Sequence, residues 1–203
     1  YMKIKSVNIG GKQVGLGKPV FVIAEAGVNH NGQLDLALKL IEAAAEVGAD
    51  AVKFQTFRAE QVVTVAGEMA EYQKRNIGVT ESQLSMLRKL EFKEEWYPAL
   101  IAKAKEKNII FLTTPHGGFA SVDLVQSLGV CAFKFGSGDL NNSPLLKYAA
   151  KFKKPMLIST GMSTLAEAKE AIAVIKKAGN NKIIVFHCTT EYPCPLNEVN
   201  LRI

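Results

Sequence analysis

Six short apolar segments, separated by longer segments with helical spacing, limit what this chain can fold into more than any other feature of its sequence. The apolar segments have the length of buried strands and lie at residues 19–24, 49–56, 109–113, 131–135, 155–159 and 182–187. Apolar side chains recur at helical spacing in residues 34–47, 81–90, 94–107, 119–128, 144–152 and 164–178. This alternation predicts an α/β fold in which helices cover a parallel sheet.

The number of strand–helix units bears on whether the sheet is closed or open. A closed (β/α)8 TIM barrel has eight units and about 250 residues, whereas the 203 residues here contain six units. An open doubly wound sheet also fits six strands, but its first turn usually carries GxGxxG, and residues 25–32 read EAGVNHNG. We therefore expect residues 1–203 to form the first six units of a TIM-barrel domain, preceded by an N-terminal hairpin at residues 3–14.

The connection after the second strand is unusually long. Residues 57–80 are largely polar and have only weak helical character. Long connections in compact domains are often functional loops or lids. The sequence leaves open whether this one is a lid or a surface excursion without a role.

Composition and charge exclude several classes of protein. A hydrophobic content of 48% and a charged content of 22% are typical of a globular protein. No apolar run reaches the roughly 18 residues of a membrane span, and the first residues contain no signal-peptide core, so we expect a cytoplasmic protein that does not bind membranes. The net charge of +6 comes without a basic block interleaved with aromatic residues, which argues against nucleic-acid binding.

Each predicted strand delivers a polar group at its C-terminal end, the edge that carries the active site in barrels and open α/β sheets. Lys53 and Lys134 stand out because apolar residues flank each of them inside a strand, so we expect both ammonium groups to point into the interior. A desolvated ammonium group without an anionic partner is costly. The partner is either a structural carboxylate, such as Glu25 or Asp139, or a bound phosphate or carboxylate, and a Schiff-base lysine is the third alternative.

The three histidines also lie near strand ends, at His30, His116 and His187. Three histidines at one edge are one way to bind a metal ion. Their spacing matches no metal motif, which favours histidines that are hydrogen-bonded or face a substrate.

Eight longer stretches carry a more specific signal. They are IAEAGVNHNG at 23–32, GADAVKFQTF at 48–57, EYQKRN at 71–76, ESQLSMLRKLEF at 81–92, FLTTP at 111–115, FKFGSGDLNNSPLL at 133–146, KPMLISTGM at 154–162 and HCTTEYPCP at 187–195. In this order the stretches resemble the N-acetylneuraminate (sialic acid) synthase family over essentially the whole chain. EYQKRN and ESQL are most similar to the bacterial branch, which includes legionaminic acid synthases.

The resemblance implies a transferase with a (β/α)8 barrel, followed by a small antifreeze-like domain, in a domain-swapped homodimer. The implied reaction joins C3 of phosphoenolpyruvate to the aldehyde of open-chain N-acetylmannosamine or a related N-acetylated amino sugar. Water then attacks C2, and phosphate leaves by C–O cleavage. The product is a sialic-acid-type nonulosonate.

The resemblance also implies roles for individual residues, of which Glu25, Lys53 and Lys134 are the expected catalytic ones. The positions that match the phosphoenolpyruvate site are Lys53, Thr114, Lys134, Ser137 and Ser159. Glu25 matches a carboxylate near the reacting carbons, placed to move protons or orient water. The positions that match the sugar site are Gln55, Asp139, Thr190 and Tyr192, and at Thr190 some relatives have Asn.

A divalent cation, manganese or magnesium, is implied as a Lewis acid that polarises the aldehyde. The two metal-binding histidines of the family belong to motifs that do not occur before Ile203, and His187 does not match either of them. We therefore assign no metal ligand in this chain and expect the ligands beyond Ile203. The antifreeze-like domain is likewise expected to be absent from this chain.

Two alternatives to this function stay open. The first is another barrel that condenses phosphoenolpyruvate with an aldose, of the 3-deoxy-sugar-acid synthase type, which would need a second phosphate site. The second is a non-catalytic spore-coat polysaccharide protein. The presence of Glu25, Lys53, Lys134 and Ser159 favours a working site over the second alternative.

Overall fold

The computed structural model describes residues 6–64 and 82–201 and contains eight strands and seven helices in these ranges. The strands are β1 (Val7–Ile9), β2 (Lys12–Val14), β3 (Ile23–Gly27), β4 (Ala51–Thr56), β5 (Ile110–Pro115), β6 (Phe133–Phe135), β7 (Met156–Ser159) and β8 (Ile183–Phe186). The helices are α1 (Leu34–Glu46), α2 (Ala59–Val62), α3 (Gln83–Arg88), α4 (Tyr97–Glu106), α5 (Phe119–Ser127), α6 (Ser143–Ala150) and α7 (Leu165–Lys177). None of these helices has the length and apolar character of a membrane span.

The six strands from β3 to β8 run parallel and in chain order. β3, β4 and β5 form one hydrogen-bonded sheet, and β6, β7 and β8 form another. β5 lies beside β6, so the two sheets continue each other. A helix follows each strand from β3 to β7 and returns the chain to the start of the next, as the alternation in the sequence predicts.

Alternation of side chains along the strands sorts them onto two faces. Val52, Phe54 and Phe133 point outward and pack with the helices in the main hydrophobic core. Ala51 and Leu112 point the other way and belong to a second, smaller core. The strands are thus buried on both faces, which explains their nearly continuous apolar sequences.

The hairpin of β1 and β2 closes the amino end of the interior. Ile9 of the hairpin is fully buried and belongs to one cluster with interior side chains from three strands, Ala51, Leu112 and Leu157, and with Ala132 directly before β6. The predicted hairpin is therefore confirmed over its described residues, while residues 1–5 lie outside them.

Asp50 ties the hairpin to the sheet. Its carboxylate accepts a hydrogen bond from Lys12 Nζ at 2.5 Å and another from the backbone N–H of Val22 at 2.6 Å. The Lys12 ammonium and, next, the Val22 N–H stabilise the charged form and lower the pKa of the Asp50 carboxyl.

The first parallel strand differs from its prediction. It was expected at residues 19–24, but β3 spans Ile23–Gly27, because the preceding segment is not part of the sheet. Val20 and Val22 are 84% and 50% exposed, so this apolar run is not a strand buried on both faces. The bond from Val22 to Asp50 marks the point where the chain joins the sheet, and Glu25 lies within β3 instead of beyond its end.

The other predicted elements are present with ends that differ by one to two residues in most cases. The helix expected at 94–107 begins with a 3₁₀ turn, Glu94–Trp96, before α4. The long connection at 57–80 contains α2 at its start, and residues 65–81 lie outside the described ranges. The lid hypothesis and the EYQKRN stretch therefore also fall outside them.

We expect Asp50→Ala to lower the free energy of unfolding at pH 7 by about 2 kcal/mol, because hydrogen bonds to a charged group are lost. The folded-state pKa of Asp50 is lowered, so its stabilising contribution is present above the unfolded-state pKa of about 3.9 and is lost as the pH falls through the folded-state value. The difference between the variant and the wild type should therefore shrink below about pH 4. Urea unfolding at several pH values measures this.

Glu46→Ala is the matched control, since Glu46 is an exposed carboxylate at the end of α1. Equal losses of stability in the two variants would show that Asp50 is not the tie between hairpin and sheet.

Candidate active site

Strand register gathers the predicted polar side chains at the carboxyl end of the interior. Glu25 on β3 is the register partner of Lys53 on β4, and Gln55 on β4 is the register partner of Thr114 on β5. These residues continue the interior face that begins with Ala51, because side chains alternate along a strand. One end of the interior is therefore apolar and closed by the hairpin, and the other end is polar.

Lys53 is buried, with 5% of its surface exposed. Its Nζ forms an ion pair with Glu25 Oε2 at 2.5 Å and donates a hydrogen bond to Thr114 Oγ1 at 3.3 Å. The Glu25 side chain is 53% exposed, so the ion pair extends from a buried cation to the polar carboxyl end of the interior, which forms its mouth. Of the partners considered for Lys53, the structural carboxylate is present.

Lys134 on β6 is stabilised by neutral groups. Its Nζ donates hydrogen bonds to Ser159 Oγ and to the Phe135 carbonyl oxygen, and it lies over the Phe186 ring, 5.4 Å from the centroid. Among residues 6–64 and 82–201, no carboxylate forms an ion pair with it. No described carboxylate therefore compensates the positive charge of this ammonium group, and a bound anion can neutralise it.

Burial and, next, the nearby Lys53 cation lower the pKa of Lys134 to about 8. Cys188, Glu25 and Asp139 act in the opposite direction with smaller effects. The charge of Lys53 thus acts on Lys134, although the strands that carry them belong to different sheets. Two close cations in a partly desolvated interior are typical of a site for an anionic ligand.

The loops after β6, β7 and β8 converge beside these lysines. The Gly161 N–H donates to Ser137 Oγ at 3.1 Å. A Cβ at Gly161 would lie 2.7 Å from Ser137 Oγ and 2.8 Å from Thr190 Cγ2, so only glycine fits there. The three loops therefore pack closely enough to hold Ser137 and Thr190 at the same mouth.

Asp139 and Tyr192 occupy different surroundings. Asp139 Oδ2 lies 3.3 Å from His116 Nδ1, and this oxygen is buried without a hydrogen-bond partner in the described part of the chain. Tyr192 is 62% exposed in the segment that follows β8. The structure therefore gathers nine of the ten predicted site residues at the interior or its loops, and Tyr192 lies at the exposed rim.

His116 also lies at this mouth, although it was not among the ten predicted site residues. The sequence contained one indication, namely a histidine directly after the third predicted parallel strand, but the same was noted for His30 and His187. His30 is fully buried against Phe92, and burial lowers its pKa to about 4. His187 Nε2 accepts a hydrogen bond from the Asn200 N–H.

The metal ion implied by the resemblance has no ligand set in the described ranges. Within residues 6–64 and 82–201, no group of three or more His, Cys, Asp or Glu side chains is arranged to hold an ion. The three histidines lie in separate environments. His30 packs against Phe92, and His187 accepts a hydrogen bond from the Asn200 backbone. The described residues thus do not provide the ligands that a bound metal ion requires.

Comparisons with known proteins agree with this arrangement. The sequence model of the NeuB family matches residues 40–203. The chain is 49% identical to the N,N'-diacetyllegionaminic acid synthase of Campylobacter jejuni over 187 residues, which cover 91% of this chain and 56% of that protein. The chain spans about half the length of the curated relatives it matches.

Two solved structures are similar to the present one. The N-acetylneuraminic acid (sialic acid) synthetase of Leptospira borgpetersenii, in complex with citrate, matches with a TM-score of 0.82 and 29% identity over 97% of this chain and 64% of that one. The spore coat polysaccharide biosynthesis protein SpsE of Bacillus subtilis matches with a TM-score of 0.78 and 40% identity over 94% of this chain and 49% of that one. The α/β fold of this chain is therefore TIM-barrel-like.

Lys134→Met should stabilise the ligand-free protein near pH 7 by about 1 kcal/mol, because an apolar side chain replaces a half-buried cation that has no carboxylate partner among the described residues. The folded-state pKa of about 8 lies below the ordinary value, so the charged lysine is destabilising below pH 8 and this penalty fades as the pH rises. The gain should therefore shrink between pH 8 and about 10. Denaturant unfolding over this pH range measures it.

Lys169→Met, at an exposed position in α7, serves as the control for a change from lysine to methionine. A loss of stability in Lys134→Met at pH 7 would mean that the hydrogen bonds of Lys134 outweigh its burial, contrary to this expectation.

Proposed function

The chain belongs to the NeuB family, and from this we propose that it forms the barrel part of a nonulosonate synthase. The enzyme condenses phosphoenolpyruvate with an N-acetylated amino sugar and releases phosphate. It is thus a phosphoenolpyruvate-dependent transferase that forms a carbon–carbon bond.

One observation carries the proposal, namely the two interior ammonium groups of Lys53 and Lys134. Phosphoenolpyruvate bears a phosphate and a carboxylate, and two cations in one desolvated site match these two anionic groups. Lys53 is already paired with Glu25, whereas Lys134 has only neutral hydrogen-bond partners in the described residues. The hydroxyls of Thr114, Ser137 and Ser159 border the same mouth and supply further hydrogen bonds to an anion.

The reaction balances without a redox step. C3 of phosphoenolpyruvate bonds to the aldehyde carbon of the sugar, whose oxygen takes up a proton. Water adds its oxygen to C2 and gives up a proton, while the bond between C2 and the bridging oxygen breaks and phosphate leaves. Glu25 is suited to orient the water or accept its proton, because its exposed carboxylate is held at the mouth by Lys53.

Gln55, Asp139, Thr190 and Tyr192 are proposed to contact the sugar. Support for this comes from the place of Gln55 next to Thr114 in the register and from the loops that carry the other residues around the mouth. Kinetics with a panel of N-acetylated aldoses identify the preferred sugar. The C. jejuni relative is named for a diacetylated product, so a diacetamido six-carbon aldose belongs in the substrate panel.

The wider features of the protein are proposals that rest on the resemblance alone. They comprise a homodimer, action in the cytoplasm, manganese or magnesium as cofactor with ligands beyond Ile203, and residues 1–203 as the N-terminal portion of the barrel domain. The two similar structures add support to the last of these proposals, because this chain covers only 49% and 64% of their lengths.

We expect the complete protein, including the metal ligands proposed to lie beyond Ile203, to release phosphate from phosphoenolpyruvate only when an N-acetylated aldose such as N-acetylmannosamine is added, with manganese in excess. In ¹⁸O-labelled water the phosphate should carry no label and the product should carry it at C2, because the bridging oxygen leaves with phosphate. Phosphate assay and mass spectrometry measure the two results. Labelled phosphate would indicate simple hydrolysis, and faster release with arabinose 5-phosphate or erythrose 4-phosphate would favour the 3-deoxy-sugar-acid alternative.

Lys53→Met and Lys134→Met should each lower kcat/KM for phosphoenolpyruvate by about 100-fold, since each removes a charge that pairs with the anion. Steady-state kinetics at saturating sugar measure the loss. Lys154→Met is the matched control, because Lys154 is also half-buried, with a pKa lowered by burial, yet it precedes β7 at the amino end. An equal loss in the control would remove the support that the two interior lysines give to this function.

A further inference from the structure

His116 is fixed to the mouth of the interior by its backbone. Its N–H donates to the Thr56 carbonyl oxygen at 2.8 Å, and its own carbonyl oxygen accepts from Ser121 Oγ at 2.6 Å. The residue directly follows β5, so both hydrogen bonds extend the rigid end of the sheet. The backbone that carries the imidazole is therefore held in place at the mouth.

The imidazole of His116 fills a space that Gly136 leaves open. A Cβ at Gly136 would lie 2.8 Å from His116 Cε1 and 3.3 Å from His116 Nε2. Gly136 directly follows β6, two residues after Lys134. The ring therefore covers the end of the strand that carries one of the two site cations.

Asp139 gives this edge its chemical character. Its Oδ2 is 3.3 Å from His116 Nδ1 and has no hydrogen-bond donor in the described residues. The side chains of His116 and Asp139 are 26% and 16% exposed, so part of each side chain faces the mouth, although Asp139 Oδ2 itself is buried. A carboxylate repels a phosphate group, whereas it accepts a hydrogen bond from a hydroxyl or an amide N–H.

We propose that His116 and Asp139 form a specificity edge that binds a neutral hydrogen-bonding group, a hydroxyl or acetamido group, of the aldose. This inference rests on the proposed function and adds a residue to it. His116 contacts the sugar directly, while phosphoenolpyruvate binds to the lysines. Gly136 acts as a positioning residue, because its missing side chain leaves room for the imidazole.

The test compares His116→Phe, which keeps the ring and removes its hydrogen bonds, with His116→Gln, which restores a polar group. His116→Phe should raise KM for N-acetylmannosamine about tenfold and leave KM for phosphoenolpyruvate within about threefold, and His116→Gln should recover part of the loss. Gly136→Ala should raise KM for the sugar in the same direction by displacing the ring. Gly138→Ala is the control, since a Cβ there meets nothing within 4 Å, and it should leave both constants within about twofold of the wild type.

Calorimetric titration with N-acetylmannosamine alone separates this inference from the proposed function. Weaker sugar binding by His116→Phe supports the specificity edge even if the wild type shows no turnover, an outcome that would sink only the proposed function. An unchanged sugar affinity, or equal rises of KM for both substrates, overturns the specificity edge. Absence of aldose binding by the wild type overturns it as well.

Discussion

The placement of two lysine ammonium groups inside a barrel-like interior is the constraint on which the other features of the site depend. Burial disfavours both charges, and Lys53 is compensated by Glu25, whereas Lys134 has only hydroxyl, carbonyl and aromatic partners in the described part of the chain. The lowered pKa of Lys134 is the sign of this imbalance. An anionic ligand would remove it, so the same arrangement that weakens the ligand-free fold favours binding of an anion.

Stability and function are assigned to opposite ends of the same strands. At the amino end, Ile9 of the hairpin packs with Ala51, Leu112 and Leu157 in a dry core, and Asp50 holds the hairpin in place. At the carboxyl end, the next interior positions are charged or polar and the loops converge. The apolar end provides the burial energy that allows the other end to hold groups unfavourable for folding.

Much of the fold and of the site follows from the sequence, because strand periodicity dictates which side chains share the interior. Lys53 and Lys134 were predicted to point inward since apolar residues flank them, and the structure confirms this direction. The start of the first parallel strand was predicted incorrectly, because hydrophobicity alone does not reveal that Val20 is 84% exposed and that Asp50 binds the chain at Val22. His116 could not be told apart from His30 and His187 in the sequence, because its position depends on the space that Gly136 leaves beside it at the end of the next strand.

The hairpin at the amino end has a consequence for synthesis on the ribosome. Ile9 is translated before its packing partners, and one of these, Leu157, is translated much later. At roughly 5–20 residues per second, the intervening chain takes on the order of 10–30 s to appear. Throughout this interval the apolar face of the hairpin and the open edge of each strand already made lack their final neighbours, which exposes them to association with other chains.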